Sequence, residues 1–302
     1  MIRIATRGSA LALAQAVQVA EMLGGAELVE VSSDGEQGDK GRFVRGVEGA
    51  LLAGEADIGV HSAKDVPAEM PEGLSIAAVP AREDPADVWV GPGSSLAEVA
   101  EGARVGTASL RRRAQLLAVR PDLRVDELHG NVDTRLGKLG GGGDGLDAIV
   151  LAAAGLRRLG REEKASFSIP AEEMTPAAGQ GALVLQTRSG DEEAEAAAGP
   201  VGDDAALIEL TAERAVVALL EASCATPIGV HATLDRAGGD REGGSGGRLA
   251  IEAFVGLPNG SEWIRDRLEA EGSEPALAGA QLAERLLGAG AREILDRAEE
   301  MA

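Results

Sequence analysis

The chain is predicted to be an α/β protein with a separate small α+β unit at its C-terminal end. Three observations predict this. Short apolar strand patterns alternate with helical ones over the first 90 residues, and the alternation resumes near Asp87. After Cys224 the pattern changes to successive strands. The 302 residues are 44% hydrophobic, enough for two or three cores. Mainly parallel sheets with helices on their faces are expected.

In order, Ile2–Thr6 reads as a strand, and Ser9 is placed to cap a helix over Leu11–Leu23 that Gly24 and Gly25 end. Leu28–Ser32 is the next strand, Phe43–Ala53 has helical spacing, and Asp57–Val60 returns as a strand. In the second series Arg104–Gly106 is a strand and Ser109–Val119 a helix stopped before Pro121. Arg124–Leu128 (strand), Val132–Leu139 (helix), a loop at Gly140–Gly143, Asp147–Ala152 (strand) and Ala153–Leu159 (helix) follow. Pro170 and Pro176 mark a connection to the strand Leu183–Thr187. The acidic stretch Asp191–Glu195 with Gly199 and Pro200 reads as a linker or exposed turn. Asp203 is placed to cap a long helix through Leu220. The last part reads as strands Ile228–Leu234, Leu249–Val255 and Trp263–Leu268, a Gly-rich hairpin tip at Gly238–Gly247, and a helix over Ala276–Leu287.

Composition excludes several classes. Fifty acidic against 29 basic residues give a net charge of −21, which repels phosphate backbones. Two Trp, three Phe and no Tyr are too few for base-stacking platforms. No nucleic-acid partner is expected. No apolar run is long enough to span a bilayer, and Gln15 and Gln18 interrupt the apolar N-terminal stretch, so neither a membrane partner nor a signal peptide is expected. Cys224 is the only cysteine, which fits a reducing cytoplasm, and His61, His129 and His231 lack metal-site spacing, so no metal is expected.

Against this acidic background, the stretch from Arg104 to Arg120 carries arginines and no acid. Arg111, Arg112 and Arg113 follow Gly106-Thr107-Ala108-Ser109, a strand, tight turn and helix start. Free N–H groups, hydroxyls and guanidiniums there suit carboxylate or phosphate. Thr6-Arg7-Gly8-Ser9 repeats this grammar, and Lys40, Arg42 and Arg45 open another helix. Such junctions converge on the crevice at the strand ends of α/β sheets. The expected ligand is multiply anionic, and the absence of GxxxxGK[ST] excludes a P-loop. Lys64 and Asp65 emerge from a buried strand after His61 and Ser62; one can bind while the other acts. His61 alone reads as a structural hydrogen-bonding residue.

Taken together, the segments RIATRGSALA (3–12), DKGRFVR (39–45), ADIGVHSAKDVP (56–67), REDPADV (82–88), VGTASLRR (105–112), PDLRV (121–125), GNVDTRLGKL (130–139), AGLRRLG (154–160), GQGAL (179–183), TAERA (211–215) and the Cys224 loop resemble the porphobilinogen deaminase (hydroxymethylbilane synthase) family, in its order and over nearly the whole chain. The resemblance implies two domains of type II periplasmic-binding-protein fold flanking a cleft (1–84 with 177–199, and 85–176) and a third over 200–302. It implies a dipyrromethane cofactor held by a thioether to Cys224, onto which four porphobilinogens condense head to tail with loss of ammonia before hydrolytic release. It implies Asp65 as the catalytic carboxylate. Ser62, Lys64, Lys40, Thr107, Ser109, Arg111, Arg112, Arg135, Arg188, Gln180 and Gly181 are carried over as cofactor-binding, and Arg7, Ser9, Arg45, Arg158 and His129 as substrate-binding. A cytoplasmic monomer is expected, with hinging around Asp84–Ala86 and Thr175–Ala177. His129 stands where the family has arginine, Ala108 where serine is common, Asp133 where glycine is common, and Ala222-Ser223 replaces Gly-Gly. A non-catalytic anion-binding protein of the same fold is the alternative; it gives Cys224 and Asp65 no role.

Overall fold

The computed structural model describes residues 1–32, 42–140, 145–222, 226–236 and 247–301. The loop expected at Gly140–Gly143 and the tip at Gly238–Gly247 fall largely outside the described residues, as do Lys40 and Cys224.

The first sheet is built from β1 (Arg3–Arg7), β2 (Glu27–Val31), β3 (Ile58–Ser62), β4 (Leu74–Ala78) and β10 (Leu183–Arg188), in the order β2-β1-β3-β10-β4. The second contains β5 (Asp87–Val90), β6 (Arg104–Gly106), β7 (Arg124–Asp126), β8 (Ala148–Ala152) and β9 (Phe167–Ile169), in the order β7-β6-β8-β5-β9. The two orders are alike. In each sheet three strands pair in parallel, and one reversed strand sits between the third and the last: β10 in the first, β5 in the second. Four of the five strands in each sheet thus share one direction, so the sheets are mainly parallel as expected, with one reversed strand in each. The chain enters the second sheet along β5 and returns to the first along β10, and each crossing contributes the reversed strand. This is the pair of α/β units that the resemblance implied. A third, antiparallel sheet joins β11 (Ile228–Asp235), β12 (Arg248–Gly256) and β13 (Trp263–Glu271).

Helices α1 (Ala10–Met22), α2 (Arg42–Leu52), α3 (Leu110–Val119), α4 (Val132–Leu136) and α5 (Ala153–Arg158) follow the strands of the first two sheets. Ser9 caps α1 as expected, and Ser109, read as the start of its helix, caps α3, each accepting a backbone N–H of the first turn; Asn131 does so for α4. The stretch read as a linker is a helix, α6 (Glu192–Ala198). Its acids crowd the first turn, where they favour the helix dipole, Asp191 caps it, and Ala194 and Ala198 are buried. Asp203 caps α7 (Asp204–Leu219), which packs with α8 (Pro275–Gly288) and α9 (Ala291–Glu300) on the third sheet. α9 and the strands β4 and β9 carry no sequence signal that the reading above used.

One buried carboxylate ties the units together. Glu213 of α7 is fully buried and accepts from both Arg82 guanidinium nitrogens (2.7 and 3.2 Å), from the Gly179 amide (2.6 Å) and from the Ala232 amide (2.8 Å). Arg82 lies in the first crossing, Gly179 in the second, and Ala232 in β11. Burial opposes ionisation of Glu213, but the Arg82 charge, the His231 ring 3.4 Å away and the bonds from Arg82 hold its carboxyl below the ordinary range. Its contribution is therefore full above the unfolded carboxyl pKa of about 4.3 and is lost as pH falls through the lower folded value. Glu213→Ala should cost about 3–5 kcal/mol in urea denaturation at pH 7, because Arg82 loses its bidentate partner and keeps only Glu209 at 3.5 Å, and the Gly179 and Ala232 amides lose their acceptor. A loss below about 1 kcal/mol would show that the node is dispensable.

Candidate active site

The C-terminal ends of β3 and β6 present the residues the motifs singled out. Ser62 ends β3, and Ala63–Asp65 form a single 3-10 turn that carries Lys64 and Asp65 out of the sheet. Gln15 of α1, itself buried, donates to Ser62 Oγ at 2.8 Å. Arg7, Gln15, His61, Ser62 and Asp65 share one recess. His61 is buried and bonds Gln186 across β10 at 3.0 Å. Burial, together with the nearby Arg7 charge, pushes its pKa down to about 4 against the Gln186 bond, so the ring is neutral at pH 7. This matches its reading as a structural residue.

On the second sheet, Thr107 follows β6, is buried, and accepts the Ser109 amide at 3.2 Å. Arg111 and Arg112, in the first turn of α3, are buried against Asp87 at the start of β5. Arg111 Nη1 lies 2.7 Å from Asp87 Oδ2 and also donates to the Thr175 carbonyl at 2.8 Å. Arg112 gives Nε and Nη2 to Asp87 Oδ1 (3.0 and 2.7 Å) and Nη1 to the Val150 carbonyl (2.9 Å). Gln180 completes the set, donating to Asp87 Oδ1 at 2.9 Å and to the Pro85 carbonyl at 2.6 Å. Burial would raise the Asp87 pKa, but the two guanidinium charges outweigh it and hold the carboxyl far below its usual range. Asp87 was quoted in the motif REDPADV without a role; an acid opening an otherwise apolar strand, DVWV, is the signal that would have marked it.

Lys64 faces this cluster, with Nζ 3.4 Å from Gln180 Oε1 and no carboxylate within ion-pair distance among the described residues. Burial, and the Arg112 and Arg111 charges, push its pKa down to about 8 despite Asp65 and Asp87. Arg135, on α4, is pushed down to about 10 by burial and the Arg112 charge; the one acceptor it has among the described residues is the Gly130 carbonyl at 2.9 Å. Arg158, at the end of α5, donates to the Gly181 carbonyl at 2.7 Å, and its Nε is buried without a hydrogen-bond partner among the described residues. Gly181 has φ +88°, and a Cβ there would lie 2.1 Å from the Glu83 carbonyl, so only glycine fits where the two crossings touch.

Three expectations come out differently. Arg188 is away from this cluster. β10 runs antiparallel to β3, so from Leu183, opposite Ser62, it carries Arg188 about 16 Å along the sheet. There Arg188 donates to the Leu51 and Ala56 carbonyls (2.8 and 2.7 Å) and pairs with Asp191. Arg112 is committed to an internal carboxylate, whereas Arg111 keeps N–H groups without a protein partner among the described residues. His129 is exposed and bonds Glu127 at 2.7 Å. Asp133 is offset by Arg161 at 2.9 Å. Arg45 is exposed on the first turns of α2. Before Cys224, α7 ends in a reversal: Glu221 takes the left-handed conformation (φ 53°) and the Ala222 amide bonds the Val217 carbonyl at 3.0 Å.

The cluster therefore sets Arg111 and Arg112 on Asp87, with Lys64 near both Asp65 and Asp87, Arg135 near Arg112, and Arg158 on the carbonyl next to Gln180, an excess of cation within an acidic protein. Two family models match the chain: "Porphobilinogen deaminase, dipyromethane cofactor binding domain" over residues 2–196 and "Porphobilinogen deaminase, C-terminal domain" over residues 207–288. The chain belongs to the porphobilinogen deaminase family. Porphobilinogen deaminase of Syntrophus aciditrophicus is 42% identical over 99% of both chains, that of Thiobacillus denitrificans 42% over 98% of both, and that of Deinococcus deserti 40% over 99% of both. Among solved structures, the L-cystine solute receptor of Neisseria gonorrhoeae is similar at 18% identity and a TM-score of 0.39, covering 66% of this chain and 84% of that one. The fold class rests on the strand orders and not on that likeness.

The site's electrostatics can be read directly. In a Cys224→Ser chain of this porphobilinogen deaminase family member, pulse acetylation followed by peptide mass mapping should find Lys64 half-reactive near pH 8. A midpoint near 10.4, that of an ordinary lysine, would mean that burial and the arginines do not act on it.

Proposed function

We propose that the chain is a hydroxymethylbilane synthase: a transferase of tetrapyrrole biosynthesis that joins four porphobilinogens on a covalently held dipyrromethane, with loss of ammonia, and releases the product by hydrolysis. The observation that carries the reading is the excess of buried and half-buried cations near the strand ends that carry Lys64 and Asp65. Each pyrrole bears an acetate and a propionate, so the cofactor and growing chain bring many carboxylates to one cleft. The donor set fits them: Arg111 and Arg135 have unengaged N–H groups, Arg158 an orphaned one, and Lys64 an amine without a carboxylate partner. When bound, the dipyrromethane supplies the free pyrrole carbon at which the substrate is joined. In this reading Cys224 holds it by a thioether.

Thr107, Ser62, Ser109, Lys64, Arg111, Arg135 and Gln180 would hold the cofactor's side chains and Arg7, Ser9 and Arg158 the incoming substrate's, while Arg112 braces Asp87 from behind. Asp65 does the chemistry. The protonated aminomethyl group of porphobilinogen leaves as ammonia, the C–N bond electrons go with nitrogen, and positive charge spreads over the pyrrole. A fixed carboxylate accepting the pyrrole N–H stabilises that charge where it develops. The same carboxylate can take the proton from the carbon that has formed the new C–C bond. The neighbouring ammonium of Lys64 can do neither, but it suits a carboxylate.

The reading extends to a cytoplasmic monomer and to three domains, 1–84 with 177–199, 85–176 and 200–302. The three separate sheets support that division. No described helix is long and apolar enough to cross a membrane.

Two measurements test the reading. The intact mass of the purified, denatured chain should exceed the polypeptide by two deaminated porphobilinogen units, and Cys224→Ser should lose the excess. If incubation with porphobilinogen leaves the bare mass, the covalent primer is disproved. Asp65→Asn should lower turnover at least about 100-fold, a loss typical of removing a group that stabilises developing charge, with an unchanged thermal midpoint. Near-normal turnover would remove Asp65 from its role.

A further inference from the structure

The return crossing is held between α3 and the third sheet, and the contacts form one continuous chain. Thr175 is fully buried. Its carbonyl accepts Arg111 Nη1 (2.8 Å) and Gln115 Nε2 (3.0 Å), and its amide donates to Gln115 Oε1 (2.7 Å). Its hydroxyl donates to Glu252 Oε1 of β12 at 2.8 Å. On the same side, β11 touches it so closely that a Cβ on Gly229 would lie 2.5 Å from the Thr175 carbonyl. Arg265 of β13 closes the arrangement. Its guanidinium gives Nη2 to Gln115 Oε1 at 3.2 Å, gives Nη1 to the Glu172 carbonyl, lies over the Phe254 ring at 5.6 Å and has Glu252 beside it at 3.9 Å.

We propose that Arg265 is a positioning residue for the cleft, setting the Arg111 guanidinium through Gln115 and Thr175, so that docking of the third domain fixes a carboxylate-binding group of the first two. The inference rests on the function proposed above. Gln115 stands one helical turn from Arg111 on α3, and both bond the same carbonyl. That carbonyl can move only if Gln115 moves. Gln115 Oε1 has two donors, Thr175 and Arg265, and Arg265 comes from another sheet. A planar guanidinium can reach the Glu172 carbonyl, the Gln115 amide and the Phe254 face at once; an ammonium cannot. The sheet that follows Cys224 in the chain thus grips the helix that offers Arg111.

Arg111 is assigned to a cofactor carboxylate, and the cofactor's free pyrrole carbon is where the incoming porphobilinogen must seat. Removing Arg265 should therefore loosen that seat more than the chemistry, since Asp65 lies on the first sheet and is not part of the chain of contacts. Arg265→Gln should raise the KM for porphobilinogen about tenfold with kcat within twofold, and should speed hydrogen exchange at the Thr175 amide about tenfold. Arg265→Lys should not rescue either. The deciding measurement is a double-mutant cycle with Gln115→Met. If Arg265 acts through Gln115, the double variant has the KM of Gln115→Met alone. Independent, multiplying effects on KM, or an unchanged KM in Arg265→Gln, would overturn the proposal. Should Arg265→Gln not fold, Arg265→Lys carries the same cycle. Failure of the function itself shows differently, as absence of turnover in the unsubstituted chain.

Discussion

The arrangement depends first on Asp87. It is the first residue of the strand by which the chain enters the second sheet, and it is buried among two guanidiniums and a carboxamide. A carboxylate and two arginines out of water would each cost several kcal/mol if unpaired. Here each charge is the other's compensation, and every Asp87 oxygen has a donor. The result is a fixed positive edge: three elements meet on one carboxylate, α3 through Arg111 and Arg112, β5 through Asp87 itself, and the return crossing through Gln180. One negative charge is thereby spent to hold two positive ones at the mouth of the sheet. Polar networks of this kind specify a single geometry when every member is satisfied.

Glu213 performs the matching task for the third domain. Its two oxygens accept from the outgoing crossing, the returning crossing and β11. Both crossings are thus tied to α7, the helix that leads to the Cys224 segment. The crossings also touch one another at Gly181 and Glu83, and Arg157 of α5 reaches Glu83 and Asp84 at 2.6 and 3.0 Å. Those last pairs are largely exposed and individually weak. The buried node is strong and the exposed ones are not, so a rearrangement of the two sheets would break the Arg157 pairs before it disturbed Glu213.

Much of this was legible in the sequence, and what was not has identifiable physical causes. Caps and strands announced themselves locally: Ser9 and Asp203 stand one residue before their helices, and the apolar runs of β3 and β8 read as strands. Strand direction was not legible. That β10 and β5 run against their neighbours is decided by where the chain crosses, which leaves no periodic mark. The misplacement of Arg188 follows from that, since direction along β10 determines which end of the sheet its last residue reaches. The acidic stretch after Asp191 shows a different limit. Acids beside Gly199 and Pro200 read as a linker or exposed turn, whereas at a helix N-terminus the same charges favour the helix. Motif resemblance pointed to these cations, but it could not show that Arg112 is bound to Asp87 while Arg111 and Arg135 keep donors to offer.

The charge distribution makes chemical sense only at this level of detail. With a net charge of −21, the surface repels a polyanion at long range, whereas the strand ends attract one at short range. A cleft built that way binds carboxylates only where donors are fixed and desolvated. The low-dielectric edge around Arg111, Arg135 and Lys64 provides that, and burial has already drawn their proton affinities down. Ligand carboxylates entering the edge would restore those affinities, so part of their binding energy is relief of a cost incurred on folding. The two local charge changes lie outside the edge. Asp133 is neutralised by Arg161, and His129 is turned to Glu127 in solvent. Neither touches Asp87, Lys64 or Asp65. The two charge changes thus leave in place the carboxylate that organises the cluster and the one assigned to its chemistry.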